Sequence, residues 1–266
     1  MTINALISKL GRYEHLSDAD RASLQEISEQ AETVNRSQQL IREGNDPRGL
    51  FLLLEGWAIR YKALPNGKRQ IVAILLPGDL CDCRVFILDR MDHGITMLTA
   101  GKVVRIPKDA MLDVIDKNPA IARALWWTTL VDEAVLQEWV VNVGGRDGYA
   151  RVAHLICELH VRMGDVGLLK DGVMSLPLTQ TDMGEALGLT PVHVNRMLRK
   201  LRLDGLITFK SFRLDILDLD GLVEAAGFRP GYLHGKRPER TLGHGPAMRA
   251  DQRHIAARVK AIKKPS

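Results

Sequence analysis

The apolar positions change their period along the chain, and the changes mark its organisation. Leu6, Ile7 and Leu10, then Leu24 and Ile27, recur at helical spacings, so residues 1–35 read as short amphipathic helix. From about Ile41 the pattern breaks into short apolar or alternating runs: 50–54, 57–61, 71–76, 95–99 and 103–106. These are predicted strands. Gly56, Gly78 and Gly101 separate successive runs, and Pro65-Asn66-Gly67 carries a turn dipeptide that accepts positive φ. Short strands at this spacing predict a barrel or sandwich.

At Asn118-Pro119 the period changes again, with a favoured cap followed by a favoured first helical residue. No Gly or Pro interrupts the run to Val143, which predicts one long helix. Its apolar residues include Ile121, Leu125, Val131, Val135, Leu136 and Trp139, with Ala124, Trp126 and Trp127 beside them. That stripe is wider than one core requires, so a second packing partner is implied. Gly144-Gly145 is expected to end the helix, Arg146-Asp147-Gly148 to form a hinge, and 149–163 to be helical again.

The segment 178–201, LTQTDMGEALGLTPVHVNRMLRKL, predicts a helix, a tight turn and a second helix. Thr179 is placed to cap the first helix, with Asp182 complementing its positive end; Gly188 closes it, and Thr190 and Pro191 open the second. Gly184 lies inside the first helix, where glycine costs about 1 kcal/mol relative to alanine, so close packing must require it. On the second helix Met197, Leu201, Val194 and Leu198 fall within about 100° of arc at about 100° per residue. Asn195, Arg199, Val192 and Arg196 take the opposite face, with His193 and Lys200 on its margin. Residues 191–203 hold four basic residues and no acidic one. Arginine suits bidentate contact with guanine, asparagine with adenine, and valine with a thymine methyl. Thr179, Gln180, Thr190, Val192, His193, Asn195, Arg196, Arg199 and Lys200 are therefore the candidate DNA-contacting set. Residues 205–209 and 212–216 predict a two-stranded wing whose tip offers Lys210 to backbone phosphate.

The composition is globular: 266 residues, 45% hydrophobic, 26% charged, net charge +5. The longest apolar run, 71–76, has six residues against the roughly 18 needed to span a bilayer, so no membrane partner is expected. Three cysteines and no signal-like N-terminus point to a reducing, cytoplasmic setting. The basic surplus is local. Residues 233–266 contain nine Lys+Arg against two Asp+Glu, leaving 28 against 30 in residues 1–232. The segment after Gly227 reads as a basic tail, with a weak helix over 251–262, and at most a nonspecific aid to DNA affinity.

The glycine-punctuated strands, the long helix and the run from Leu178-Thr-Gln through Thr190-Pro-Val-His-Val-Asn-Arg to Gly205-Leu-Ile resemble the CRP/FNR superfamily of bacterial transcription regulators over about residues 10–228. Pro77-Gly78-Asp79-Leu80 anchors the N-terminal part of the likeness. The resemblance implies an α+β chain: a cyclic-nucleotide-binding-like β-roll with N-terminal helices (1–117), a dimerisation helix (118–143), a winged helix-turn-helix (144–223) and a flexible tail (224–266). It implies a homodimer joined along the long helix, with Ile121, Leu125, Val131, Val135 and Trp139 assigned to that junction. It also implies a palindromic double-stranded DNA site, contact with RNA polymerase and a small-molecule effector of unknown identity.

The family's sensing chemistry is altered here. Cyclic-nucleotide-binding members carry a Gly-Glu-Leu stretch and later an Arg-Ser or Arg-Thr pair after Pro-Gly-Asp; here Cys83 stands at the glutamate and His93-Gly94 near the arginine pair. Tight binding of cyclic AMP is not expected, since the ligand's charged atoms would lack partners. Three cysteines, none in residues 1–80, do not supply the four thiolates of an iron-sulfur cluster. Cys81, Cys83 and His93 are the candidate effector or redox residues, for thiol oxidation or haem ligation, although residues two apart on a strand face opposite sides. His154, Cys157 and His160 read as helix packing. No cofactor or metal site is assigned. No nucleophile elbow, phosphate-binding loop or paired-carboxylate constellation appears, so an enzyme, such as a thiol enzyme built on Cys81, Cys83 and His93, is not the expected class.

Overall fold

The computed structural model describes residues 5–46, 48–86, 88–169 and 172–235. Two short helices open the chain, α1 (Ala5–Leu10) and α2 (Asp18–Glu26), the second started by a capping box in which Ser17 and Asp20 satisfy each other's backbone N–H. The helical reading of residues 1–35 runs too far: β1 (Ala31–Val34) follows, with only Val34 buried, so no alternation announces it. The strands β2 (Gln39–Ile41), β3 (Gly49–Glu55), β4 (Ala58–Ala63), β5 (Arg69–Leu75), β6 (Gly94–Met97) and β7 (Gly101–Pro107) complete a β-roll. They form two antiparallel sheets, ordered β1-β7-β3 and β2-β6-β4-β5.

A helix the periodicity did not single out, α3 (Lys108–Lys117), leads into α4 (Pro119–Gly145). Pro119 opens α4 as expected, but Asn118 does not cap it; its amide donates to the Val114 carbonyl at 2.8 Å and so finishes α3. Gly144 and Gly145 do not end α4 either, because both remain in its last turn, and the break falls at Arg146-Asp147. Asp147 caps α5 (Gly148–Asp165). Then come β8 (Val173–Ser175), α6 (Gln180–Leu187), α7 (Pro191–Leu203), β9 (Ile207–Lys210), β10 (Arg213–Ile216) and α8 (Leu219–Ala226), followed by a 3₁₀ turn at Pro230–Leu233. The wing is three-stranded, ordered β8-β10-β9, because β8 pairs with the far side of β10.

Two apolar clusters hold the chain. One fills the β-roll and takes in Leu6, Leu10 and Leu24 of the first helices and Ile121, Ala124 and Leu125 of α4. The other joins Trp57, Ile59, Ile71, Ile74 and Leu76 of the second sheet to Val131, Val135 and Trp139 of α4 and to the cores of α5, α6, α7 and the wing. The residues expected to start a loose tail at 224 belong to this second cluster: Phe228 and Leu233 are buried and Tyr232 packs against it, sealing α5. The tail helix suggested over 251–262 lies outside the described residues.

Candidate nucleic-acid interface

The α6–turn–α7 unit has the local chemistry its sequence requires. Thr179 and Asp182 form a full capping box: the Thr179 hydroxyl and N–H donate to Asp182 Oδ2 at 2.6 and 2.9 Å, and the Asp182 N–H donates to Thr179 Oγ1 at 3.1 Å. Gly188 takes φ +65° at the helix end, and Thr190 Oγ1 accepts the His193 N–H at 3.2 Å to start α7. Gly184 is needed for the turn rather than for the second helix itself. A Cβ there would stand 2.5 Å from the Leu189 carbonyl oxygen.

Val194, Leu198 and Leu201 are buried, turning the opposite side of α7 to solvent. Val192 is 80% exposed, an unusual state for an aliphatic side chain. Asn195, Arg196 and Arg199 are exposed beside it, and among the described residues none is engaged by a hydrogen bond or ion pair. Gln180 is exposed at the first turn of α6. The marginal residues are partly occupied: His193 lies half-buried against Gly148, and Lys200 Nζ sits 4.5 Å from the centroid of the Tyr149 ring. The Tyr149 hydroxyl in turn donates to Asp204 at 2.5 Å. Lys210 ends β9, next to a tight turn in which Ser211 and Phe212 both adopt positive φ and Phe212 stays exposed. The structure thus brings Val192, Asn195, Arg196 and Arg199 onto one free face. It leaves Thr179 and Thr190 as caps.

Sequence reasoning missed what holds this head to the β-roll. Arg69, the first residue of β5, places Nη2 3.0 Å from Asp182 Oδ1 and Nε 2.6 Å from Glu185 Oε2, and Gln70 Nε2 donates to the Glu185 carbonyl at 2.5 Å. On α5, Arg162 donates to the Ile74 carbonyl at 2.6 Å and pairs with Asp79 Oδ2 at 3.2 Å; Asp79 also holds Lys9 at 2.7 Å. These positive neighbours keep the buried Asp79 carboxyl below its usual range, against the opposing effect of burial. At the α4–α5 junction Arg151 donates to the carbonyls of Arg146 at 2.8 Å and Leu187 at 3.1 Å, so the expected hinge is braced. The partners of Arg69 are more than a hundred residues away in sequence, and no local pattern signals them.

Cys81 and Cys83 do not alternate on a strand as expected; Cys83 begins a 3₁₀ turn, Cys83–Phe86, and Cys81 precedes it in a bend. Burial pushes both thiols up to about 12, which disfavours the thiolate that redox chemistry needs. His93 is buried and flanked by Asp82 at 3.0 Å and Asp92 at 2.7 Å. Among the described residues no group of three or more His, Cys, Asp and Glu side chains forms a metal-binding set. Cys83 instead lines a cavity of about 530 Å³ between α1, the β-roll and α4, together with Lys9, Arg60, Thr128, Thr129 and Asp132. The Arg60 guanidinium is buried there; Nη2 reaches the Cys81 carbonyl at 3.0 Å and Asp132 at 3.6 Å, while Nε has no partner. His154, Cys157 and His160 are buried in α5 packing.

The residues assigned to a dimer junction require correction. Ile121, Leu125, Val131, Val135 and Trp139 are buried within this single chain. The helix is apolar nearly all round, so periodicity could not tell its inner face from its outer one. The outer face carries Trp126, 68% exposed, and Val140, 67% exposed, with Leu130, Leu136, Val141 and Val143 also exposed. Trp126 and Leu130 lie one turn apart, and Leu136, Val140 and Val143 step by four and three residues toward the other end of the helix, with Glu133 and Gln137 between the two groups bonded to each other at 3.2 Å.

Two family models match the chain: a cyclic nucleotide-binding domain over residues 31–118 and a Crp-like helix-turn-helix domain over residues 150–225. The nitrogen fixation regulation protein FixK of Bradyrhizobium diazoefficiens is 26% identical over 204 residues, covering 76% of this chain and 85% of that protein. The fumarate and nitrate reduction regulatory protein of Vibrio cholerae is 24% identical over 212 residues, covering 80% and 84%. The solved structure of FixK2 from Bradyrhizobium japonicum matches with a TM-score of 0.67 at 22% identity, over 74% of this chain and 96% of that one, a likeness of fold.

Proposed function

Because the chain belongs to the CRP/FNR superfamily of DNA-binding transcription regulators, we propose that it acts in the cytoplasm as a homodimer on a palindromic promoter site and affects transcription through contact with RNA polymerase. The observation that carries this reading is the exposed apolar face of α4, because aromatic and aliphatic residues on the solvent side of a long helix mark an interaction surface, and a second copy of the same helix would cover it. A dimer about that face carries two copies of α7. Docked in successive major grooves, these would lie about 34 Å apart, one turn of DNA.

Within each half-site Arg196 and Arg199 read guanines, Asn195 an adenine and Val192 a thymine methyl, while Gln180 and Lys210 hold phosphates. Selection of bound fragments from a random DNA library, paired with sedimentation of the free protein, tests the reading. A two-fold symmetric consensus and a dimer are expected; an asymmetric consensus bound by a monomer would overturn it.

The cavity beside Arg60 is assigned to an effector other than a cyclic nucleotide. Neither a thiol switch nor a haem axial ligand is favoured at Cys81, Cys83 and His93, given the raised thiols and the carboxylate-flanked, buried imidazole.

A further inference from the structure

Arg69 belongs to the sensor β-roll, yet its charged partners lie on the first helix of the DNA-reading head. Its guanidinium forks between two carboxylates, Asp182 and Glu185, and stands 5.8 Å from the centroid of the Tyr61 ring, which backs it from β4. Asp182 serves both sides of this joint. Oδ2 closes the capping box with Thr179, while Oδ1 receives Arg69. The grip is therefore on the N-terminal turns of α6, and Gln70 reinforces it through the Glu185 backbone carbonyl.

A single grip would permit rotation, but there is a second. At the other end of β5, Arg162 of α5 binds the Ile74 carbonyl at 2.6 Å, and nearby Arg12 pairs with Asp165 at 2.6 Å. Residues 69 and 74 are about 16 Å apart along a strand. Two anchors at that separation, one on α6 and one on α5, fix an orientation. The turn through Leu189 joins α6 to α7 with backbone closely apposed, so a tilt of α6 carries the reading face with it.

We infer that Arg69 is a positioning residue for DNA recognition: by gripping α6 through Asp182 and Glu185 it sets the orientation of the reading head, and so the half-site spacing that a dimer accepts. The inference rests on the dimeric reading above. Loss of Arg69 would loosen the hold of the β-roll on α6, leaving Gln70, the Arg162 anchor and the shared apolar cluster to orient the head, and would leave two carboxylates uncompensated on the helix whose exposed Gln180 is assigned to phosphate. The second effect weakens all DNA sites alike. The first flattens the preference among spacings, which a general loss of stability would not do.

The test uses the full-length protein and operators built from the selected half-site at the optimal spacing and at one or two base pairs more or fewer, with affinity read by fluorescence anisotropy. Wild type should show a clear optimum. Arg69→Ala should reduce the ratio of optimal to offset affinity by about three-fold or more, the lower range of couplings between contacting residues. Gln70→Ala, which leaves charge unchanged, should act in the same direction. Arg69→Glu combined with Glu185→Arg should recover more of the optimum than Arg69→Glu alone. If Arg69→Ala does not fold, Arg69→Gln and Gln70→Ala carry the same readout. An unchanged spacing ratio in folded, dimeric variants would overturn the inference while leaving the dimer intact. A wild-type protein without a spacing optimum would overturn the dimeric reading, and this inference with it.

Discussion

The indole N–H of Trp139 donates to Glu158 Oε2 at 2.9 Å, joining the long helix α4 to α5 through a fully buried carboxyl group. Tyr232 donates to the same oxygen at 3.0 Å, and Arg162 meets the other at 3.2 Å. Burial raises the Glu158 pKa despite these donors, a sign that desolvation outweighs them. Trp139→Phe keeps most of the packing and removes one donor. The expected cost is about 1–3 kcal/mol, the penalty for a buried polar group left short of a partner, measured by urea denaturation.

Gly184→Ala should be costlier than its chemistry suggests. The new methyl would meet a backbone carbonyl, Leu189 O, at 2.5 Å, and backbone cannot rotate away as a side chain would. A loss of about 1–3 kcal/mol is expected, with specific DNA affinity falling because α7 is displaced. Thermal melting alongside a binding isotherm checks both.

The buried ring of His154 lies edge-on to Phe228 at 5.1 Å and parallel to Tyr232 at 6.1 Å. Burial first, and then Arg146, lowers its pKa from 6.5 to about 4 although Glu138 lies 3.3 Å away. The unfolded chain therefore binds this proton more readily, and its contribution to stability is full above pH 6.5 and lost as pH falls toward 4. His160 shifts in the same direction, and Glu158, raised from 4.5, acts in the opposite sense. The readout is accordingly the difference between wild type and His154→Phe, which should lose a dependence on the order of 3 kcal/mol across this window. Parallel stability–pH curves for the two proteins would contradict the assignment.

Val140→Asp places a charge on the outer face of α4, where the protomer itself is undisturbed. The dissociation constant of the proposed dimer should rise about tenfold or more, with operator affinity falling in step, as seen by sedimentation equilibrium. Val135→Asp, on the inner face, should instead unfold the protomer.

Arg196→Ala should cost about 1–3 kcal/mol and relax preference at one base position in each half-site, whereas Lys210→Ala should weaken all sequences alike and lower the salt slope. Uniform losses from both across a randomised library would refute direct reading by Arg196.

The local chemistry of α6 and α7 was legible because caps, glycines and helical period are short-range signals. Thr179, Asp182, Gly188, Thr190 and Pro191 all act where their spacing puts them. The long helix was equally visible, but its two faces were not. Trp126 and Trp139 are alike in sequence, and only the packing of β-roll and head against one side separates them. The Phe228–Leu233 segment was misjudged because tertiary packing draws it into the core, whereas the exposed Gly144 and Gly145 simply stay helical to the break at Arg146-Asp147, two residues a glycine signal places too early. Arg69 and Gln70 were invisible, since their partners are set by topology alone.

The apolar cluster that runs from the second sheet through α4 into the wing has a thermodynamic meaning. Because the head and the second sheet share one core, heat or denaturant should not melt the DNA-reading part ahead of that sheet. The cohesion of the head depends on strands that belong to the sensor. A signal that loosens Ile71, Ile74 or Leu76 would therefore reach the operator as softness rather than as leverage: α7 would be held less firmly before it was moved at all.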